Sequence, residues 1–469
     1  MGIKLDWQIE SERTRTRATE DPLVRQHRRR AQRRFVLLVI AMVSVLTLIV
    51  GLAIWRLRSV DNRLRQDLVH TVQAEIAALR VGDYANYMTI QRSASDAFML
   101  AQSRRFEDYQ QLKQAGRVQL TGDVVDTTID GRRGRVIIEE TLDGVPYRQV
   151  WFYWYYTDSG DGGGGWRHVP DDLTFWGAER TLELPNGGHI RYRELDTSYA
   201  QALAEVLPDW WAGLCVTLSC TPPPLPQIEI VPQRPPSVVW DGWTLRISSP
   251  LVERTRADAP LPPDFAQTVV EALATRLVRY AAGDAPAPDY TDAAWLRAEL
   301  GRWAAAHMLG NGESSPFFAS LSASFGPGAP LTLLSALTPE ATLDSALSTV
   351  TGVPMEQMSQ DQLNSLAWAD FFQWRLALEP RLLVEGEASA FLALYDPTDN
   401  YAASQAAIRL EDRRYALQPP PSVQSALITH EQGHTFATVS AAYYDEDGQL
   451  LQQQTIYWWL SSGTWKRLG

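Results

Sequence analysis

Five residues carry the most explicit chemical signal in the chain: His430-Glu431-Gln432-Gly433-His434. On a helix, two histidines four apart reach one zinc ion from the same face, and the intervening glutamate activates the metal-bound water. The surroundings argue against a helix. Ala437, Val439, Ala441 and Tyr443 alternate with Thr438, Ser440 and Ala442, which is the period of a strand. Gly433 and the β-branched Thr435, Thr438 and Val439 favour a hairpin. The 35 residues after His434 hold no histidine, and their one glutamate, Glu446, sits in the turn Asp445-Glu446-Asp447-Gly448. We therefore expect no zinc here, with His430 and His434 at or beside a β-turn and largely exposed.

Other chemistry is sparse. No glycine-rich phosphate loop is present; Gly160–Gly165 reads as a hairpin tip without a following Lys-Ser/Thr. No Gly-x-Ser-x-Gly elbow occurs. Aromatic rings fill both faces of the strand Trp151–Tyr156, and no Asp/His pair is read at matching positions along the chain. No residue is assigned as catalytic, cofactor-binding or metal-ligating, and no cofactor is expected. Cys215 and Cys220 enclose four residues and suit a small disulfide loop in an oxidising compartment.

What positions these residues begins at a membrane. The 469 residues carry a net charge of −12, which speaks against nucleic acid as a partner. Residues 1–34 hold ten basic and five acidic side chains, leaving −17 for the rest. Arg25, Arg28, Arg29, Arg30, Arg33 and Arg34 run into Phe35–Trp55, 21 residues without charge or proline. As a helix this stretch spans about 31 Å, the thickness of a hydrocarbon core. The run is too long for a signal peptide and is followed by Trp-Arg-Leu-Arg, not a small-residue cleavage site. Six arginines before the span against two immediately after it predict a cytoplasmic amino terminus, the bilayer as partner through Phe35–Trp55, and an extracytoplasmic bulk.

Outside the membrane the chain repeats itself. An offset of 304 pairs Gln149 with Gln453, Tyr153 with Tyr457, Trp154 with Trp458 and Gly82 with Gly386. Each copy opens with an apolar helix face (Leu68, Val72, Ile76, Leu79; Phe371, Phe372, Leu376, Leu378, Leu382) and ends on an aromatic hairpin leading to Trp166-Arg167 or Trp465-Lys466. Helices followed by antiparallel strands make an α+β unit. This order resembles the nuclear transport factor 2-like fold, a cone-shaped α+β sheet, over 60–177 and 367–469.

Residues 178–365 read as a mostly helical α/β segment: strands His189–Tyr192, Ile228–Val231 and Trp243–Ile247, then helical patterns at Phe265–Ala282, Ala293–Met308, Pro316–Phe325 and Thr338–Val350. The order is similar to the front half of membrane-anchored, thermolysin-like (gluzincin) metallopeptidases of bacterial surface proteins. That resemblance places the active-site helix on 295–305, where the zinc motif is replaced by Ala298-Glu299-Leu300-Gly301-Arg302. Alanine offers no lone pair and arginine brings a fixed cation, so the segment is expected to be degenerate, with Glu299 and Arg302 an ion pair on a solvated helix face. The whole reads as an α+β, single-pass bacterial cell-surface protein: tail 1–34, transmembrane helix 35–55, and three exterior domains. The expected function is non-enzymatic envelope binding, sensing or scaffolding toward an unknown ligand or partner; the alternative is a membrane-anchored zinc hydrolase.

Overall fold

The structure is a computed structural model that describes residues 22–157, 164–185, 187–310, 315–445 and 449–468. The tail before residue 22, most of the 160–165 glycine tract and the 446–448 part of the acidic turn lie outside the described residues. The fold is mixed α+β with three sheets. It divides into two compact units, Met1–Gly144 with Val150–Asp171, and Val145–Gln149 with Asp172–Gly469.

The first unit begins with α1 (Pro22–Val81), 60 residues without a break. Its apolar part is long enough to cross a membrane, with a mean hydropathy of 2.9 and no burial within the protein. The span and the first helix of the repeat are thus one helix, where the sequence suggested two. Nothing interrupts it, because Pro22 stands at its start and Gly51 is its only glycine. Its far end turns from apolar all round to one-sided: Leu68, Val72, Ile76 and Leu79 are buried. Gly82 ends it at φ +86°, a left-handed conformation that suits glycine. Then come α2 (Tyr84–Ile90) and α3 (Asp96–Gln114). The strands β1 (Val118–Asp130), β2 (Arg133–Leu142), β3 (Val145–Tyr156) and β4 (Gly165–Val169) follow. Their inner face (Val136, Ile138, Trp151, Tyr153, Trp166) packs on α1 with Tyr87, Phe106 and Tyr109.

In the second unit, strands β5 (Glu179–Glu183), β6 (His189–Arg193), β7 (Gln227–Val231), β8 (Val238–Asp241) and β9 (Thr244–Ser248) make a sheet of order 5-6-7-9-8. Its centre is parallel, because α4 (Thr197–Thr217) crosses from β6 to β7. Cys215 in α4 is joined to Cys220, a bond that belongs to oxidising compartments. Short β10 (Thr255–Arg256) pairs with Tyr147 and Arg148. Five helices follow: α5 (Pro263–Ala281), α6 (Asp292–Leu309), α7 (Pro316–Phe325), α8 (Ala329–Leu334) and α9 (Leu343–Thr351).

After α10 (Gln360–Asn364), the element order of the first unit returns. α11 (Ala369–Glu385) ends at Gly386, φ +79°, followed by α12 (Ala388–Leu392), α13 (Asn400–Glu411) and α14 (Arg413–Ala416). The sheet β11 (Ser422–Glu431), β12 (His434–Tyr444), β13 (Leu450–Ser461), β14 (Thr464–Leu468) is antiparallel throughout. One correction to the repeat follows from register. Tyr153 faces His168, and Trp458 faces Arg467. The counterpart of buried Tyr153 is therefore buried Trp458, whereas Tyr457 is 52% exposed. A one-residue slip exchanges the faces of a strand, so the offset of 304 fails there.

Candidate functional site

The alignment by register exposes a feature that the sequence reading missed. Glu75 in α1 and Glu379 in α11 are 304 residues apart, and both are 0% exposed. Each is the centre of a polar cluster inside its own fold.

Glu75 is met from three elements. Tyr153 Oη donates to Oε2 at 2.8 Å, Gln91 Nε2 donates to Oε1 at 2.9 Å, and His168 Nδ1 lies 2.8 Å from Oε1. The His168 ring packs against Trp151 and Tyr153, with centroids 5.3 and 5.0 Å away. Burial pushes the Glu75 carboxyl up. The His168 charge and the three hydrogen bonds outweigh it and hold the group below its ordinary range.

Glu379 is held more tightly. Arg467 Nη1 donates to both oxygens at 2.5 and 2.7 Å. Tyr395 and Tyr415 donate their hydroxyls to Oε2 at 2.8 and 2.5 Å. Arg409 donates to Tyr395 Oη at 2.7 Å. Burial again raises the carboxyl, and Arg467 and Arg409 bring it below the usual range. The same burial, with Glu379 beside them, pushes the Tyr395 and Tyr415 hydroxyls up, so both stay protonated donors.

Three positions match between the clusters, Glu75 with Glu379, Gln91 with Tyr395 and His168 with Arg467, whereas the Tyr153 position is taken by Trp458. Gln91 and Tyr395 form equivalent parallel bridges to His168 and Arg467. His168 and Arg467 each follow the Trp-basic pair in the last strand, at an offset of 299 because the second hairpin is shorter. What recurs is not an Asp/His pair but a glutamate whose basic partner changes from histidine to arginine. A Glu-His-Tyr set is capable of proton transfer in principle. Glu75 is sealed from solvent, and both of its oxygens already accept hydrogen bonds from within the protein. In the second cluster the basic partner is Arg467, whose guanidinium does not give up its proton. Both clusters join the first helix of their fold to its last strand.

A consequence for pH follows. The folded Glu379 carboxyl titrates below its ordinary 4.5, so its stabilisation is whole above about pH 4.5 and is lost as pH falls through the depressed value. The urea midpoint of the exterior should hold steady from pH 7 to 5 and decline below 4.5; a rising midpoint on acidification would contradict the assignment.

The remaining sequence candidates lie apart. His430-Glu431 closes β11 and His434 opens β12, with Gln432-Gly433 as the turn between them. His430 is half-buried, not largely exposed as expected. Its Nε2 lies 2.9 Å from the Met358 carbonyl, and its Nδ1 lies 3.0 Å from Thr435 Oγ1. His434 is exposed, 5.5 Å from the Trp459 ring. Among the described residues, no group of three or more His, Cys, Asp or Glu is arranged to hold a metal ion.

The window 298–302 lies on α6, but Glu299 is not on a solvated face. It is 1% exposed, receives Ser315 Oγ at 2.9 Å and pairs with Arg302. Apolar neighbours dictate this, because Leu296 and Leu300 are fully buried around it. Among the described residues, this unit has two notable open clefts. One of about 380 Å³ lies at the end of β9, between Ser248, Arg254 and Phe265. The other, about 200 Å³, holds the buried Asp292–Arg375 pair (3.0 Å) and Lys466.

No protein-family model matches this chain, and no curated protein matches it.

Proposed function

We propose that this chain is a single-pass, amino-terminus-in membrane protein of a bacterial surface, and that its exterior binds or scaffolds and catalyses nothing. In this reading the two repeats are nuclear transport factor 2-like units (60–177 and 367–469) flanking a degenerate gluzincin-like segment (178–365). The candidate membrane helix, the arginines ahead of it and the Cys215–Cys220 disulfide support the orientation.

One observation carries the non-enzymatic part. The titratable clusters that the repeat shares are sealed, and the second is locked by a permanently charged Arg467. A ligand would be met at the clefts or on surfaces. The larger cleft is within the size range of small-molecule sites. The hydrolase alternative lacks a ligand set: Ala298 and Arg302 stand where histidines are needed, and both ring nitrogens of His430 have protein partners.

Topology is the first test. A reporter fused after Gly469 should be active outside the cytoplasm, and external protease should digest the chain beyond about residue 60 in spheroplasts. Protection of the carboxyl-terminal part would reverse the orientation.

A further inference from the structure

The unbroken helix fixes where the first unit sits relative to the end of the span. Trp166 Nε1 donates to the Leu64 carbonyl at 2.9 Å, so the unit's core begins nine residues after Trp55. At 1.5 Å per residue that is about 14 Å of helix, roughly twice the thickness of one leaflet's headgroup layer and within the reach of extended arginine side chains.

The strands tell which end of the unit faces the membrane. Gly122, early in β1, lies against Ile76 and Arg80. Gly134, just past the β1–β2 turn, lies against Leu68 and Trp166. The sheet thus runs back along α1, and its turn Gly131-Arg132 points toward the span.

In this zone the exposed side chains Arg56, Arg58, Arg63, Arg65 and Arg132 form no ion pair among the described residues. Between these helix arginines only Asp61 intervenes, and Asp67 follows two residues after Arg65. The sign is opposite to that of the exterior, since everything after residue 34 sums to −17. An acidic body would be repelled by an acidic leaflet, and a basic collar at its base reverses the local field.

We propose that these five arginines form a docking collar for anionic phospholipid headgroups, which holds the first unit down on the outer face of the membrane. The proposal rests on the anchored reading above. Arg56 and Arg58 lie at headgroup depth, Arg63 and Arg65 reach down from one to two turns further, and Arg132 adds a contact from the folded sheet.

The test uses the full chain in phosphatidylcholine bilayers with a trace of spin-labelled phosphatidylglycerol or spin-labelled phosphatidylcholine. The restricted fraction of each label reads the relative association of the two lipids. Phosphatidylglycerol should be preferred, and R56Q/R58Q/R63Q/R65Q should cut the preference at least twofold. Arg132→Gln should lower it as well, although it is remote from the span in sequence. The arginines ahead of the span persist in every variant and account for what preference is left. In about 1 M salt, where screening acts within about 3 Å, the wild-type preference should vanish. A preference unchanged in the fourfold variant, or insensitive to Arg132→Gln, would overturn the collar. If neither lipid is restricted beside the wild-type chain, anchoring fails, and the collar with it.

Discussion

Replacing Glu379 with glutamine is expected to destabilise the exterior by about 3–5 kcal/mol, the usual cost of leaving a buried charge without its partner. The exposed fraction of Arg467 is 1%, and Glu379 supplies two of its hydrogen bonds. Glutamine keeps the size but turns an acceptor-only group into one that also donates, toward Tyr395, Tyr415 and Arg467, which all donate already. Arg409, charged and mostly buried, loses its nearby anion in the same step. Removing Arg467 as well should cost less than removing Glu379 alone. E379Q/R467M is expected to recover part of the loss, because the more deeply buried of the two cations that Glu379 neutralises is then gone. Chemical denaturation of the two variants against wild type checks this, and Glu379→Gln within about 0.5 kcal/mol of wild type would refute the clamp.

The second large effect is expected at Gly301. Alanine is the better helix former by up to about 1 kcal/mol, so propensity alone favours Gly301→Ala. Packing opposes it. A Cβ at this position would lie 2.5 Å from Thr275 Oγ1 and 2.9 Å from both the Cα and the N of Thr275. Two of these atoms are backbone and cannot rotate away, so α5 and α6 must separate along a buried seam. Overpacking of this kind costs about 1–3 kcal/mol, which exceeds the propensity gain. Gly301→Ala should therefore lower the denaturation midpoint, and Thr275→Ala should restore only the share owed to the hydroxyl. A midpoint raised by Gly301→Ala would show that the helices have room to part.

These two residues show how unevenly the fold could be read in advance. The repeat was legible because glycine caps and aromatic strands are loud signals: Gly82 and Gly386 both end first helices in the left-handed region. The hairpin at Gln432-Gly433 was legible from alternation alone. Glu75 and Glu379 were not. A single acid among apolar helical residues reads as a break in the stripe, and only the third dimension brings in its partners from up to 93 residues away. The shorter second hairpin moves Arg467 out of the register that pairs the glutamates. The irregularity between Tyr443 and Tyr444 lies in the strand preceding the aromatic one, which the sequence offset misaligned by one residue. Glu299 was misplaced for a related reason: an acid next to an arginine three residues on looks solvated until Ser315 and the neighbouring core are seen.

Glu75 is the sharper case for function, because Glu-His-Tyr is a set that catalysis uses. Residues kept for chemistry are commonly held at a cost to stability, and replacing them leaves a protein as stable or more so. Residues kept as clamps behave in the opposite way. In Glu75→Gln, three groups that donate to a carboxylate would face an amide, and buried donors without an acceptor cost about 1–3 kcal/mol. The decisive measurement is the unfolding free energy of Glu75→Gln against wild type at pH 7. A loss of that size is what a structural, non-catalytic exterior requires; an unchanged or increased stability would mark Glu75 as a residue retained for chemistry and contradict the account.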